Sequence, residues 1–269
     1  MGGGGTAGDL GAMLAPALEA LDIQASAGQL DALRRYLGEL ELWNRKRDLV
    51  KAEGEALITR HVADSLAGLP TVRRELERAA AAAAETAAAG GRGAVAQPPG
   101  KGAVFDLGSG GGFPGIPLSV FLPGTDVVLV ERSGGKCSFL RSAAAVAGLS
   151  NVKVVNADFR NVGGLSHAAA AGAPPATPVP APPAAGAPAP AVVTFRALSE
   201  IDRAFAGELA RLLGPGGSVV AYKGRHDRAK AEAAVAGEVF DEVEIIPVEV
   251  PGLSEERTLL VLRLAAESS

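Results

Sequence analysis

The run Val104-Phe105-Asp106-Leu107-Gly108-Ser109-Gly110-Gly111-Gly112-Phe113 constrains this chain more than any other stretch. An apolar segment of strand length enters a glycine turn, and the apolar residues from Ile116 to Phe121 then suit a short helix. Glycine lets the backbone bend and lets a ligand approach closely, while a helix beginning just beyond offers free N–H groups. A nucleotide-like cofactor is the natural occupant, although a chain with 35 glycines in 269 residues can also place a plain loop there. Glu131 favours the first reading. It stands 23 residues after Gly108, at the end of the next apolar run, where a carboxylate can accept both ribose hydroxyls of an adenosine.

Two cofactor classes share that geometry. A dinucleotide site wants G-x-G-x-x-G in register with the strand end, but the residue five after Gly108 is Phe113, and the pattern restarted at Gly110 falls too far from the strand. S-adenosylmethionine has no pyrophosphate and instead suits an acid before the turn. Asp106 fills that position, able to order the loop or meet the cofactor's amino group. The residues therefore favour a methyl donor over NAD.

Around this unit, strands alternate with helices. Strands are expected at Ala103–Leu107, Asp126–Val130, Val152–Asn156, Val192–Phe195, Ser218–Tyr222, Glu242–Pro247 and Thr258–Arg263, which predicts a doubly wound, mostly parallel α/β sheet. Upstream, Leu30, Leu33, Leu37, Leu40 and Trp43, then Leu57, Ile58, Val62, Leu66 and Leu69, recur at helical spacing. The expected organisation is a flexible N-terminus over 1–14, a helical cap over 15–76, a low-complexity linker over 77–102, an α/β domain over 103–264 and a tail over 265–269. Residues 163–191 carry 8 of the 18 prolines among alanines and are read as a disordered insertion.

No apolar run approaches a membrane span, and MGGGGTAGDL lacks the features of a secretory signal. The single Cys137 fits a reducing compartment and reads as a small core residue, and no cysteine metal cluster can form. No metal is expected. A net charge of −4 is silent on the partner, though it leaves room for a local basic face. Arg45-Lys46-Arg47 and Arg73-Arg74 read as solvated helix faces. Lys223, Arg225, His226, Arg228 and Lys230 follow the fifth strand, near the expected mouth of the site, and could contact phosphate. Trp43 reads as core packing, with base stacking as the alternative. His61, Asp64 and Ser65 share one helical face and cannot make a hydrolase triad from a single turn.

Asp106-Leu107-Gly108-Ser109-Gly110-Gly111-Gly112-Phe113-Pro114-Gly115-Ile116-Pro117-Leu118 closely resembles the cofactor loop of the bacterial glucose-inhibited division protein B family, the 16S ribosomal RNA guanine-N7 methyltransferases. Trp43-Asn44, Arg60-His61, Asp64-Ser65-Leu66, Lys136 with Phe139-Leu140, Phe195-Arg196-Ala197-Leu198, Pro215-Gly216-Gly217, Lys223-Gly224 and Glu256-Arg257 fall in that family's order. The likeness covers about 18–76, 103–162 and 192–264. It implies a class I S-adenosylmethionine-dependent methyltransferase fold, Rossmann-like, with a helical N-terminal cap. It also implies that Gly108, Ser109, Gly110, Phe113, Glu131 and Arg196 border the cofactor together with Asp106, and that Asp158, Phe159 and Arg160 lie at its adenine edge. The family usually shows Arg followed two residues later by Glu where this chain has Asp158-Phe159-Arg160.

A sulfonium methyl is already activated and guanine N7 carries no proton to remove, so the reaction needs positioning and no obligatory general base. His61, Asp64, Lys223 and Arg257 are the expected positioning residues, with Lys223 and Arg196 the best candidates for guiding RNA. The implied partner is 16S rRNA or the small ribosomal subunit. A monomer is expected, in the cytoplasm or, for an organellar copy, the plastid stroma. A nicotinamide-dependent oxidoreductase and a non-catalytic RNA-binding or ribosome-assembly module are the alternative readings.

Overall fold

The computed structural model describes residues 7–88, 102–161, 190–214 and 216–265. Seven strands form one sheet: β1 (Ala103–Leu107), β2 (Asp126–Glu131), β3 (Val152–Asn156), β4 (Val192–Arg196), β5 (Ser218–Lys223), β6 (Glu242–Val248) and β7 (Arg257–Arg263), in the order β3-β2-β1-β4-β5-β7-β6. The first five run parallel, while β7 lies antiparallel to both β5 and β6. A short link cannot carry the chain back across the sheet, so β7 must return beside β6 in the opposite sense. The sheet is built outward in one direction from β1 to β3 and in the other from β4 onward, so the carboxyl ends of β1 and β4 flank the switch point where such sheets bind ligands.

The period of two along each strand divides the core. On β1 and β2, Val104, Val127 and Leu129 join one apolar cluster, and Phe105, Leu107, Val128 and Val130 join the other. The second cluster is covered by α8 (Arg203–Leu212) and α9 (His226–Ala236). The first packs under α6 (Gly115–Phe121), α7 (Gly134–Ala147) and the N-terminal helices α1 (Ala7–Glu19), α2 (Ala27–Arg47) and α5 (Leu69–Ala88). A Ser26–Gln29 capping box starts α2, and Asp48 in the left-handed region ends it. Between α2 and α5 the chain runs through α3 (Gly54–Leu57), a π-helical stretch at Ile58–Ala63 and α4 (Asp64–Ala67).

Two boundaries differ from those expected. The N-terminus expected to be flexible over 1–14 is helical from Ala7 because Leu10, Leu14 and Leu18 bury one face against the cap. The segment expected as linker over 77–102 continues α5 as far as Ala88, with Ala79 buried and Arg78 donating to the Gly216 carbonyl at 2.7 Å. Most of the expected insertion, residues 163–189, lies outside the described residues, as do 89–101 and 266–269.

One ion network ties the cap to the far edge of the sheet. Glu75 of α5 is fully buried and accepts from Arg263 of β7 at 2.6 and 2.8 Å, from Arg78 at 3.0 Å and from Arg74 at 3.1 Å. Burial pushes its carboxyl up, but these guanidinium bonds outweigh burial and hold it at about 2. Arg74, expected on a solvated face, is therefore an ion-pair partner, also of Glu244 at 2.7 Å.

Candidate active site

The glycine turn sits at the carboxyl end of β1. The Gly108 and Ser109 amides donate to the Val130 carbonyl at 2.8 and 3.2 Å, tying the turn to the end of β2. Gly108 has φ +68°, and a Cβ there would fall 2.6 Å from the Leu198 side chain, so both backbone and space require glycine. Glu131 closes the arrangement: one carboxylate oxygen accepts from the Gly110 amide at 3.1 Å and the other from Ser133 at 2.8 Å. The acid and the turn that the spacing associates are thus in direct contact.

Asp106 lies beneath the turn, completely buried. One of its oxygens accepts from the Gly115 amide at 3.2 Å, the first residue of α6, and the other has no hydrogen-bond partner among the described residues. Burial raises its carboxyl to about 7. The start of α6, which a pyrophosphate would need, is therefore already faced by a carboxylate. Neither Asp106 nor Glu131 is among the residues that line the cleft beside the turn, so both act on it from behind the glycine backbone.

Beside the turn is a cleft of about 340 Å³, lined by the backbone of Gly108 to Gly111, by Phe113, Arg196 and His61, and by Asp48 to Lys51 from the segment after α2. The Ser109 hydroxyl turns away to donate to the Asp106 carbonyl at 2.8 Å, leaving backbone to face the cleft. Phe113 is packed by three groups: the His61 ring stacks on it at 4.9 Å between centroids, Tyr36 meets it edge-on at 5.4 Å and Arg196 lies over it at 5.4 Å.

His61, Asp64, Arg196 and Arg257 form one cluster. From the end of β4, Arg196 donates to Asp64 at 2.8 Å, to the Arg60 carbonyl at 3.0 Å and to His61 Nδ1 at 2.6 Å. Arg257 of β7 donates to the other oxygen of Asp64 at 2.8 Å. Burial, reinforced by Arg196, Arg60 and Arg257, lowers His61 to about 4, so the ring is neutral at pH 7 and Nδ1 accepts from Arg196.

Lys223 does not join them. Tyr222, on one face of β5, donates to the Ser65 carbonyl at 2.7 Å, and the strand alternation turns Lys223 to the opposite face. There its ammonium pairs with Glu232 of α9 at 2.5 Å and donates to the Ser199 carbonyl at 3.1 Å, over the Phe195 ring. The expectation that Lys223 positions or guides substrate is corrected accordingly. Asp158, Phe159 and Arg160 follow β3, where the Ala157 amide donates to the Glu131 carbonyl at 3.2 Å. That brings the segment to the Glu131 end of the site, although the Phe159 ring packs on Phe205 at 5.3 Å and none of the three lines the cleft. Trp43 packs edge-on to Phe139 at 5.9 Å and donates to Glu39 at 2.7 Å, in keeping with the core reading.

Two further side chains shape the site, and the sequence assigns neither a role there. Tyr36 donates to the Gly111 carbonyl at 2.5 Å and so anchors the turn to α2. Asn44 accepts from the Leu49 and Val50 amides at 2.7 and 3.0 Å and donates to the Val50 carbonyl at 2.8 Å, folding the segment that lines the cleft. An asparagine in the last helical turn, just before a non-helical segment, was the available signal for this clamp.

Residues 95–171 match the GidB family model, described as rRNA small subunit methyltransferase G. The chain is 31% identical over 255 residues to the ribosomal RNA small subunit methyltransferase G of Cupriavidus necator, with 93% of each chain covered. It is 33% identical over 262 residues to the protein of that name from Xanthomonas axonopodis pv. citri, covering 94% of this chain and 98% of the relative.

Proposed function

Because this chain belongs to the ribosomal RNA small subunit methyltransferase G family, we propose that it methylates N7 of a guanine in 16S ribosomal RNA, using S-adenosylmethionine. The observation that carries the choice of cofactor is Asp106 facing the first amide of α6. This arrangement disfavours a dinucleotide's pyrophosphate, and the unpartnered second oxygen, buried behind the turn, is the acceptor proposed for the cofactor's ammonium. The residues present therefore fit S-adenosylmethionine. Glu131 would take the ribose hydroxyls, the glycine turn and Phe113 would border the cofactor with Arg196, and the Asp158–Arg160 segment would lie at the adenine edge.

The bound cofactor supplies a methyl group activated by its sulfonium. The chain's task is to hold the guanine edge in line, exclude water and tolerate the positive charge that arises on the base. A neutral His61 serves this better than an imidazolium, which would repel that charge. Asp64, held by two arginines, keeps the His61 face in place. No residue is assigned as a general base, since N7 carries no proton. The proposed partner is the small subunit or its RNA, and the proposed state is a monomer acting in the cytoplasm, or in the plastid stroma for an organellar copy. Among the described residues, no helix is long and apolar enough to cross a membrane.

The test is methyl transfer from labelled S-adenosylmethionine to 30S subunits and to naked 16S RNA lacking the modification, with the product mapped by mass spectrometry. Label at one guanine N7 is expected. Failure to bind S-adenosylmethionine in calorimetry would overturn the enzyme reading, and binding without label on either substrate would overturn the rRNA assignment.

A further inference from the structure

Among the described residues, many surface cations are held in ion pairs, as Arg60 is with Glu255, Lys153 with Asp126, Arg203 with Glu238 and Arg225 with Asp227. Of those without an ion pair, Arg73, Arg141, Arg211, Arg228 and Lys230 are spread over α5, α7, α8 and α9, whereas five gather on one side of the cleft. Lys46 and Arg47 end α2, Lys51 follows in the segment lining the cleft, Arg132 follows β2, and Lys136 lies in the first turn of α7. None has an acidic partner at ion-pair distance among the described residues, and all but the half-buried Lys136 are exposed. Arg45 is not counted with them, because Glu41 stands one helical turn back and feels its charge.

The five belong to one surface. Helix α2 packs along α7, with Ser142 donating to Glu39 at 2.6 Å. The Arg47 guanidinium rests over Gly135 so closely that a Cβ there would collide with it, which joins the end of α2 to the start of α7. Glu131 holds the Ser133 amide at 2.8 Å and the Gly110 amide at 3.1 Å, which fixes Arg132 beside the glycine turn.

From this we infer that the ridge Lys46-Arg47-Lys51-Arg132-Lys136 is the docking surface for RNA phosphates, so that the strand reaches the cleft from the α2–α7 side. This rests on the RNA-methylating reading above. On the β5–α9 side Lys223 and Arg225 are neutralised by Glu232 and Asp227, which leaves Arg228 and Lys230 as exposed charges without an ion pair there, against five on the ridge. In a chain of net charge −4, long-range attraction for a polyanion has to come from such a local excess.

The experiment is direct binding of 16S RNA to the full chain across a salt series, comparing wild type with the triple variant Lys46→Gln, Arg132→Gln, Lys136→Gln. Glutamine keeps most of each stem while removing the charge. Each lost phosphate contact should lower the slope of log Kd against log salt by about 0.7–0.9, so the triple variant should lose about 2 and bind roughly tenfold or more weakly near 0.1 M salt. Its affinity for S-adenosylmethionine should stay within twofold of wild type. Arg203→Gln with Arg211→Gln, which removes two exposed charges from α8, should leave the slope unchanged. An unchanged slope in the triple variant, a wild-type slope near zero, an equal loss in the α8 variant or equally tight binding of polyglutamate would each overturn the assignment. Because binding is read without turnover, failure of methyl transfer would count against the rRNA reading and leave this measurement intact.

Discussion

Asp64, in the helical cap, is bonded by Arg196, 132 residues later in the chain, at 2.8 Å, and its second oxygen is bonded by Arg257 at the same distance. The carboxylate is 4% exposed, so it is the counter-ion that allows two guanidinium groups to stand beside the cleft. Removing one member of such a group leaves charge poorly compensated in a partly buried place. Asp64→Asn should therefore cost on the order of 3 kcal/mol in chemical denaturation, and Arg196→Lys, which keeps the charge but loses the fork, should cost less. If Asp64→Asn unfolds at the wild-type denaturant concentration, the cluster is not structural.

Acid should destabilise the protein in two windows. The folded pKa of His61 is about 4 against an ordinary 6.5, so the unfolded chain binds the extra proton first. Stability is full above 6.5 and falls by about 2–3 kcal/mol as pH drops through 4. His61→Gln should flatten that window. Glu75 lies at about 2 against an ordinary 4.5, so its contribution is present above 4.5 and is lost between there and 2. Glu75→Gln should remove the second window. Denaturation midpoints measured from pH 8 to 3 separate the two.

Asp106 has the opposite sign. With its pKa raised to about 7 from 3.8, the folded form keeps its proton longer, so stability is highest below 3.8 and declines as pH rises through 7. Asp106→Asn should raise the melting temperature at pH 8, because no buried carboxylate then ionises. The same variant should bind S-adenosylmethionine at least tenfold more weakly, since a neutral amide oxygen accepts from an ammonium without the charge that strengthens the bond. Wild-type affinity should also fall as pH drops below 7. Calorimetry across pH 6 to 8 checks both, and a tight-binding Asn variant would detach Asp106 from the cofactor.

Asn44→Ala removes three bonds that shape the Asp48–Lys51 segment. A loss of about 2 kcal/mol is expected, together with a several-fold rise in the S-adenosylmethionine Kd, because the cleft wall loosens. Asn44→Asp, which keeps the acceptor for the Leu49 and Val50 amides, should recover most of both. Faster amide exchange confined to residues 48–51 would identify the cause.

Glycine spacing, an acid at the next strand end and helical periodicity are local signals. From them the β1-turn-α6 unit, the association of the glycine turn with the acid at the next strand end and the helical cap could be read directly. They are legible because backbone conformation and the two periodicities are written within a few residues of where they act. The start of α1 at Ala7 escaped because its glycine-rich beginning hides the Leu10, Leu14 and Leu18 stripe that packing rewards.

What a side chain does at the site depends on which strands become neighbours and which face it turns to, and only the assembled sheet decides that. Lys223 and Arg196 both stand at strand ends and looked equivalent in the sequence. Alternation sends Lys223 to Glu232 on α9 and Arg196 to the cap, so one is neutralised behind the sheet and the other faces the cleft. The sharing of Asp64 by two arginines, and the anchoring of Gly111 by Tyr36 across 75 residues, are likewise set by long-range packing, which has no local signature.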